Sequence, residues 1–462
     1  MRYKWFKLIV LIIVVFTILT LGFGCKKEVV TTETTIVGPK TTETTVVETS
    51  AVGEPVELIL WWWGEQELKG LEDWLNGTIA VFENEHPNVK VSATLQATEN
   101  VLSDFPTASA AGEPPDLQFL WDGTYCMDWA WLGYIEPLNN YFTEEELDSM
   151  YATPASTFEG KVYRVGWWHF INGWTYNIKI LKEAGVLDNM IPPKTWDEWL
   201  EVCQKVKDAG YIPISLGTKD KLVGDNMQAL FMVQQLDSYG DILKLCTGEL
   251  RWDDPRYYEH WVKIKELWDK GYINDDANSL DLYQGQEVFA RGESAFTYLT
   301  GCITPSMQEA LGVENVGFMV TPQFGIGKFN KSSTYTEGIG MSSGSKYKEL
   351  AAEFIRTIHR EDRVNAFYAE TRGLPADKGF DSSLIGDPID KYQYETLQTS
   401  DGGYLGDVIP YVITDAAACT GIQLLFTGES SPEDLGKEAQ RVSDEWQAQN
   451  PDIVEKYLKW MK

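Results

Sequence analysis

Residues 56–95, VELILWWWGEQELKGLEDWLNGTIAVFENEHPNVKVSATL, decide the class of fold that the chain adopts. The stretch opens with an apolar strand that ends in three tryptophans and continues as a helical segment that Pro87 ends. It closes with VKVSATL, whose polar and apolar residues alternate as in a strand. Strands and helices alternate in this way along the chain, which predicts α/β layers with mostly parallel sheets.

Two further helices carry clear start and stop signals. Thr195 and Glu198 form a capping-box pattern, an apolar face follows, and Gly210 ends this helix. The last predicted helix begins with Ser431 as its cap and Pro432 at its first position. The signals predict one helix over residues 196–210 and another from residue 432 onward.

Length and charge limit what the protein can be. A chain of 462 residues is too long for one compact core, so we expect two domains. The formal net charge is −30, from 69 acidic and 39 basic residues, and this charge repels nucleic acid and anionic lipid surfaces. The 18 tryptophans are large amphipathic side chains, and such side chains are enriched where a surface grips a ligand.

The N-terminus has the pattern of an export signal. Three basic residues precede an almost unbroken apolar run, so residues 1–24 are predicted to be a signal peptide. Cys25 follows this run and resembles the acylated cysteine of bacterial lipoproteins. Gly22 and Phe23 depart from the lipoprotein pattern, so an uncleaved anchor is the alternative. Either form tethers the protein to a membrane, in the periplasm or on the cell surface.

Residues 25–53 form a low-complexity segment in which TTETTIV is followed by TTETTVV. Such a segment has no periodic apolar face, so we predict a flexible linker between the membrane and the folded part, which begins near Pro55.

The cysteines and histidines suggest neither a disulfide framework nor a metal site. Five cysteines besides Cys25 are scattered along the chain, although one disulfide remains open. Cys203 lies on the apolar face of a predicted helix and is expected in the core. The four histidines lack the spacing of metal ligands, so we expect no metal and no cofactor.

Several motifs, read in order, resemble the family-one extracellular solute-binding proteins of bacterial ABC sugar importers, the type that includes maltose-binding protein. They include FENEHPNVKV (82–91), AAGEPPDLQFLW (110–121), LGYIEPLNNYF (132–142), VFARGESAFTY (288–298) and RGLPA (372–376). One departure is that Cys302 and Ile303 stand where such proteins often place a tryptophan.

The resemblance implies a periplasmic-binding-protein fold of type II, with two α/β lobes, a hinge and an interlobe cleft. Lobe 1 would comprise residues 54–165 and 320–358, and lobe 2 residues 166–319 and 359–462. It also implies a monomer that is not an enzyme, with a sugar as ligand and the permease subunits of an ABC transporter as partners. The lobes would close over the ligand.

Aromatic side chains and carboxylates or amides recur together at the loops of this sequence. Such pairs suit sugars, whose flat C–H faces stack on rings and whose hydroxyls bond to polar groups. The same loops also offer Tyr125 and His169, while Trp61 is expected in the core because adjacent strand residues point to opposite faces. The residues predicted to bind the ligand, a neutral oligosaccharide or glycoside, are Trp62, Trp63, Glu65, Trp121, Asp122, Trp167, Trp168, Trp174, Asp225, Asn226, Tyr298, Glu337 and Arg372.

Two other functions remain open, a secreted glycan-active hydrolase and a glycan-binding surface adhesin. The sequence GMSSG (340–344) fits the nucleophile motif G-x-S-x-G. The only later histidine, His359, lies on the helix that follows directly, which leaves no separate loop for a catalytic base. We therefore expect the serines to cap that helix.

Overall fold

The computed structural model describes residues 54–238, 240–328, 333–399 and 405–460. The predicted signal peptide, Cys25 and the Thr/Glu-rich linker lie outside the described residues. Among the helices in these ranges, none has both the length and the apolar character needed to cross a membrane.

Nine of the described strands form one mixed sheet, with the order β2-β1-β3-β10-β6-β8-β7 and with β9 and β11 also paired to β6. The remaining two, β4 and β5, form a hairpin. The strands are β1 (Val56–Trp62), β2 (Val89–Leu95), β3 (Leu117–Leu120), β4 (Thr157–Phe158), β5 (Lys161–Val162), β6 (Val165–Asn177), β7 (Ile212–Ser215), β8 (Ser294–Thr300), β9 (Val316–Met319), β10 (Thr334–Met341) and β11 (Leu374–Pro375).

Helices cover the sheet. In the first part of the chain they are α1 (Leu71–Glu85), α2 (Thr98–Ala111), α3 (Thr124–Trp131), α4 (Glu144–Ser149), α5 (Ile178–Glu183), α6 (Trp196–Asp208), α7 (Leu222–Met232), α8 (Gly240–Cys246) and α9 (Pro255–Asp269). They continue as α10 (Leu282–Ala290), α11 (Thr304–Leu311), α12 (Lys348–Ile358), α13 (Glu361–Thr371), α14 (Pro388–Thr399), α15 (Tyr411–Thr414), α16 (Thr420–Thr427), α17 (Pro432–Gln449) and α18 (Pro451–Lys459).

The long strand β6 joins two halves of the sheet. Its residues 165–171 pair with β10 and β11, next to the parallel strands β1, β2 and β3. Its residues 172–177 pair with β8 and β9, and β7 lies parallel to β8. We call these the first and the second half of the sheet. The alternating α/β pattern is confirmed, but the expectation of mostly parallel pairing is wrong, because β6, β9, β10 and β11 all pair antiparallel.

The local signals in the sequence correspond to real helix ends. α6 starts at the Thr195–Glu198 capping box, and Ser431 accepts a hydrogen bond at the start of α17. Cys203 is fully buried in the core around α6, as predicted. One further helix, α18, follows the helix that was predicted to be the last. The serines of GMSSG do not cap α12, whose N-cap residue is Tyr347; Ser343 instead donates to the carbonyl of Gly133.

The lobe boundaries at residues 166, 320 and 359 remain predictions. Helix α13 lies beyond residue 358 yet contacts α1 of the first half, where Phe367 meets Trp74 edge-on at 5.1 Å between ring centroids. The five cysteines of the described chain are all buried and form no disulfide with one another.

Candidate functional site

A row of four aromatic side chains begins at the ends of two parallel strands. Trp63 follows β1 and Trp121 follows β3, and their ring centroids lie 5.3 Å apart. Tyr125 continues the row 5.9 Å from Trp121, and Tyr411 lies 6.3 Å further on. Exposure rises along this aromatic row, from 7% at Trp63 to 46% at Tyr411. The row therefore leads from the core to the surface and offers flat apolar faces along the way.

The sequence positions each member of the aromatic row. The indole N–H of Trp63 donates to the Thr98 hydroxyl at 2.9 Å, which fixes its plane. Tyr125 lies in the first turn of α3, just after Gly123, whose φ is 62°. A Cβ on Gly123 would collide with the Asp407 carbonyl, so a glycine is needed there for the chain to pass. Tyr411 opens α15, which runs into the π-helical turn Asp415–Cys419, and π-turns are frequent at functional sites.

Two buried carboxyl groups, those of Glu337 and Asp407, lie near one another, and the charge of Asp407 acts on Tyr125 of the aromatic row. Their exposed fractions are 1% and 2%. Within the described residues, Glu337 Oε2 and Asp407 Oδ1 have no hydrogen-bond partner. A buried polar atom normally has a partner, so these two oxygens are suited to accept hydrogen bonds from a ligand.

Local backbone geometry places Glu337 in the middle of the sheet. The register of β10 against β6 shifts between Glu337 and Gly338, and such bulges re-aim a side chain. A Cβ on Gly338 would collide with the Arg164 side chain, so this glycine lets the guanidinium approach the strand. Trp168 is the residue opposite Glu337 on β6.

The surroundings of these groups favour their uncharged forms. Burial raises the pKa of Glu337 well above its usual range, and the charges of Glu67 and Asp407 raise it further, while Arg164 lowers it. Burial likewise raises the pKa of Asp407, with Asp122 and Asp225 adding to the rise. Burial, together with nearby carboxylates, raises the pKa of the neighbouring phenols too.

Those phenols are Tyr125 and Tyr335, whose pKa values are raised well above the usual range by burial first and then by nearby carboxylates that include Asp225 and Asp407. The pKa of Tyr411 is raised to about 12, again chiefly by burial. Their hydroxyls therefore stay protonated at neutral pH and can donate hydrogen bonds.

Asp122, a predicted site residue, has hydrogen-bond and ion-pair partners within the protein. It accepts hydrogen bonds from the Gly123 amide at 2.9 Å, from Thr153 Oγ1 at 2.9 Å and from Ser156 Oγ. It also forms an ion pair with Arg164, with 3.4 Å between Asp122 Oδ1 and Arg164 Nη1. The guanidinium donates in addition to the carbonyls of Leu120 and Thr336.

The second half of the sheet contributes several predicted residues. Asp225 is buried in the first turn of α7, where Asn226 is half-buried, and the charge of Asp225 acts on Tyr125 and Tyr335. Tyr298 on β8 is buried and donates its hydroxyl to Asn172 Oδ1 at 3.0 Å.

Two contacts join the loop that follows β1 to residues that come after β8 in the chain. Cys302 Sγ lies 3.3 Å from Glu67 Oε1, at the position where the resemblance led us to expect a tryptophan. Lys69 Nζ lies 3.0 Å from Glu309 Oε2 at the surface. Side chains that follow strands of both halves of the sheet therefore contact each other near the candidate site.

The three consecutive tryptophans differ in burial. Leu58, Leu60 and Trp62 form the buried face of β1, whereas Trp61 lies on the other face and is only half-buried. The expectation that Trp61 is the core tryptophan of this run is therefore wrong, because Trp62 is only 2% exposed. Trp63 is joined to Trp121 as described above. Ligand contact by Trp62 stays a prediction.

Other predicted ligand-binding residues lie among core or ionic partners, and their ligand contacts also stay predictions. The Glu65 carboxylate accepts from the amides of Gly70 and Glu72 at 3.0 and 2.6 Å, at the start of α1. The others are Trp167, which contacts Trp74; Trp168, which contacts Phe119; Trp174, which donates to Thr321; and Arg372, which binds Asp390 and Gln308.

Three residues of the candidate site, Tyr335, Asp407 and Tyr411, were not predicted from the sequence. Tyr335 lies two residues before the predicted Glu337, and alternation along a strand puts such residues on the same face, so that signal was available. Asp407 and Tyr411 lie in a stretch, GDVIPYVITDAAAC, that gives no hint of contact with α3.

A two-lobed α/β fold with aromatic and carboxyl groups gathered from both halves of its sheet is the form of a solute-binding protein. The chain belongs to the bacterial extracellular solute-binding protein family, whose sequence model matches residues 65–360. Members of this family bind solutes outside the cytoplasm for ABC transporters, so the chain is an extracytoplasmic binding protein and not an enzyme.

Individual relatives agree with this assignment. An uncharacterized ABC transporter extracellular-binding protein of Pyrococcus horikoshii is 26% identical over 323 residues, which cover 66% of this chain and 69% of the relative. The multiple sugar-binding protein of Streptococcus mutans is 22% identical over 313 residues, covering 65% and 71%. A solved chitin oligosaccharide binding protein has the same fold, with a TM-score of 0.77 at 24% identity, covering 86% of this chain and all of that one.

Proposed function

We propose that the protein captures a neutral oligosaccharide or glycoside between its two lobes and delivers it to the permease of an ABC transporter. The observation that carries this proposal is the aromatic row together with the buried carboxyl groups of Asp407 and Glu337. Stacked rings accept the flat faces of sugar units, and buried carboxyl oxygens without partners accept hydrogen bonds from hydroxyls. The names of a multiple sugar-binding and a chitin oligosaccharide binding relative support the same ligand class.

The ligand enters, in this proposal, when the two lobes separate about the strands that join them. Glu337 and Asp407 are almost completely buried, so a sugar reaches them only after such an opening. The lobes are those predicted from the sequence, residues 54–165 with 320–358 and residues 166–319 with 359–462. Trp63, Trp121, Asp225 and Glu337 are the predicted residues best placed to contact the ligand.

The test is calorimetry of the purified chain with a panel of malto-, cello-, xylo- and chito-oligosaccharides. We expect saturable one-to-one heat with one class of sugar and recovery of that sugar intact. Product formation would support the glycan-active hydrolase, and binding only to polymers would support the surface adhesin. Small-angle scattering should show a more compact particle with the sugar, and identical profiles would contradict closure.

We also propose that Cys25 tethers the protein to the membrane through a lipid, with residues 25–53 as the linker. The export pattern before Cys25 supports this proposal. Replacing Cys25 by Ala should abolish lipid labelling and release the protein from the membrane fraction. Unchanged retention would favour an uncleaved N-terminal anchor.

A further inference from the structure

The carboxyl groups of Glu337 and Asp407 combine nearly complete burial with incomplete hydrogen bonding among the described residues. Each is at least 98% buried, and each has one oxygen without a hydrogen-bond partner among the described residues. The two groups come from distant parts of the chain, the bulge of β10 and the 3₁₀ turn Leu405–Val408. Each lies close enough to Tyr335 for its charge to act on that phenol.

The charges around these two groups are mostly negative. Glu67 and Asp122 act on Glu337, and Asp122 and Asp225 act on Asp407. Arg164 is the cation that acts on both.

Arg164, however, is already engaged within the protein. Its guanidinium pairs with Asp122 and donates to the carbonyls of Leu120 and Thr336. A ligand at this place therefore meets a surplus of carboxyl groups and no uncommitted guanidinium from Arg164.

We propose that Glu337 and Asp407 are specificity-determining residues that accept hydrogen bonds from the hydroxyls of an uncharged saccharide and exclude saccharides that carry a carboxylate. This inference rests on the proposed function. A hydroxyl can donate to the unpartnered oxygen of either carboxyl group, whereas a ligand carboxylate adds a further negative charge beside Glu67, Asp122 and Asp225 in a poorly solvated place. A saccharide with a protonated amine meets no such repulsion.

The same surroundings link ligand affinity to pH. In the closed form both acids have raised pKa values because burial and like charges disfavour ionisation. Opening the lobes hydrates them and returns their pKa values toward normal. The closed, ligand-bound form thus holds more protons than the open form, and the affinity for a neutral sugar should fall as pH rises above about 4.5, the range where a solvated carboxyl ionises.

The experiment compares sugars of one geometry that differ in charge. Cellotriose, its C6-oxidised triuronate and the β-1,4-glucosamine trimer are titrated into the full-length chain in detergent, with maltotriose and C6-oxidised maltotriose as the α-linked pair. We expect the uncharged member of the bound pair to bind at least ten-fold more tightly than its oxidised counterpart. The amine trimer should bind no more weakly than cellotriose.

Amide variants assign this selection to the two residues. Glu337→Gln and Asp407→Asn keep the shape and cannot ionise, so each should reduce the preference for the uncharged sugar at least three-fold and flatten the pH dependence of affinity. Asp377→Asn is the matched control, because the Asp377 carboxylate is nearly buried but pairs with His359 at 2.9 Å. That control should leave the preference and the pH profile unchanged.

The outcomes separate this inference from the proposed function. Equal binding of the uncharged and oxidised sugars by the wild-type chain overturns the inference while the proposed function stands. An unchanged preference in two folded amide variants overturns it as well. Absence of binding by every sugar in the panel overturns the proposed function and the inference together. Should one variant not fold, the other variant and the wild-type pH profile still decide.

Discussion

Asp122 and Glu337 are both buried carboxyl groups near Arg164, but among the described residues they differ in their hydrogen-bond partners. Asp122 accepts from a backbone amide and two hydroxyls and pairs with the guanidinium. Glu337 keeps one oxygen without a partner in the described chain, and burial raises its pKa. The difference teaches that burial alone does not identify a binding residue, whereas the donors around a buried group separate a structural role from one that is left for a ligand.

The largest expected effect is a loss of stability when the Asp122 carboxylate is removed. Asp122→Ala removes the acceptor of Thr153 and Ser156 and leaves Arg164 buried without its ion-pair partner. Breaking such a pair costs about 3–5 kcal/mol in the free energy of unfolding. Urea denaturation of the variant should show this loss, while Glu337→Gln should unfold at the wild-type urea concentration or above. Equal losses in both variants would remove the distinction between the two carboxyl groups.

The next effect concerns the aromatic row. Trp121 is only half-buried, so Trp121→Ala should weaken binding of the sugar found in the panel by about 1–3 kcal/mol, from the lost stacking area, with little change in melting temperature. Calorimetry measures the affinity.

Trp199→Ala is the matched control, because Trp199 is fully buried in the core of the second half. It should instead lower the free energy of unfolding by about 3–5 kcal/mol. A Trp121 variant that loses stability and keeps its affinity would make the aromatic row a packing feature.

Local signals in the sequence predict much of the fold but only part of the site. Capping residues and apolar periodicity locate α1, α6 and α17, because these features act within a few residues. The antiparallel pairing of β10 with β6 joins residues more than 160 positions apart, and no local pattern specifies it.

The site follows the same division between local and distant information. Trp121 and Glu337 are predicted as ligand contacts because an aromatic and an acidic residue stand together in FLWDGTY and in YTEGIG, and their ligand contact stays a prediction. Asp407 is missed because its role depends on the approach of its segment to Gly123, a contact across more than 280 residues. The burial of Trp62 rather than Trp61 depends on which face of β1 meets the core, and the three identical residues carry no signal for that choice.

A smaller effect concerns stability and pH. Because the pKa values of Glu337 and Asp407 are raised in the folded protein, the folded state keeps protons that the unfolded state loses above its own carboxyl pKa, about 4. The stability from these groups is thus fully present below that pH and is lost as pH rises, at about 1.4 kcal/mol per unit of pKa difference.

Melting temperatures of the sugar-free chain between pH 4.5 and 8 check this sign. The double variant Glu337→Gln with Asp407→Asn should lose less stability across that range than the wild type, by about 1 kcal/mol or more. A wild-type slope that the double variant leaves intact would mean that other groups set the pH dependence.

The smallest expected effect is at the surface, where Lys69 of the loop after β1 pairs with Glu309 of α11. Both side chains are largely exposed, so their ion pair stabilises the closed form by less than about 1 kcal/mol. If the lobes separate as proposed, this pair exists only when they are closed, and Lys69→Ala should weaken sugar binding by less than about five-fold. Salt screens exposed pairs, so the difference from wild type should vanish at about 1 M NaCl. Lys205→Ala is the control, because its i,i+4 pair with Glu201 stays within α6 and should leave the affinity unchanged. A loss for Lys69→Ala that persists at high salt would instead indicate that Lys69 contacts the ligand directly. The binding site would then contain a cation other than Arg164.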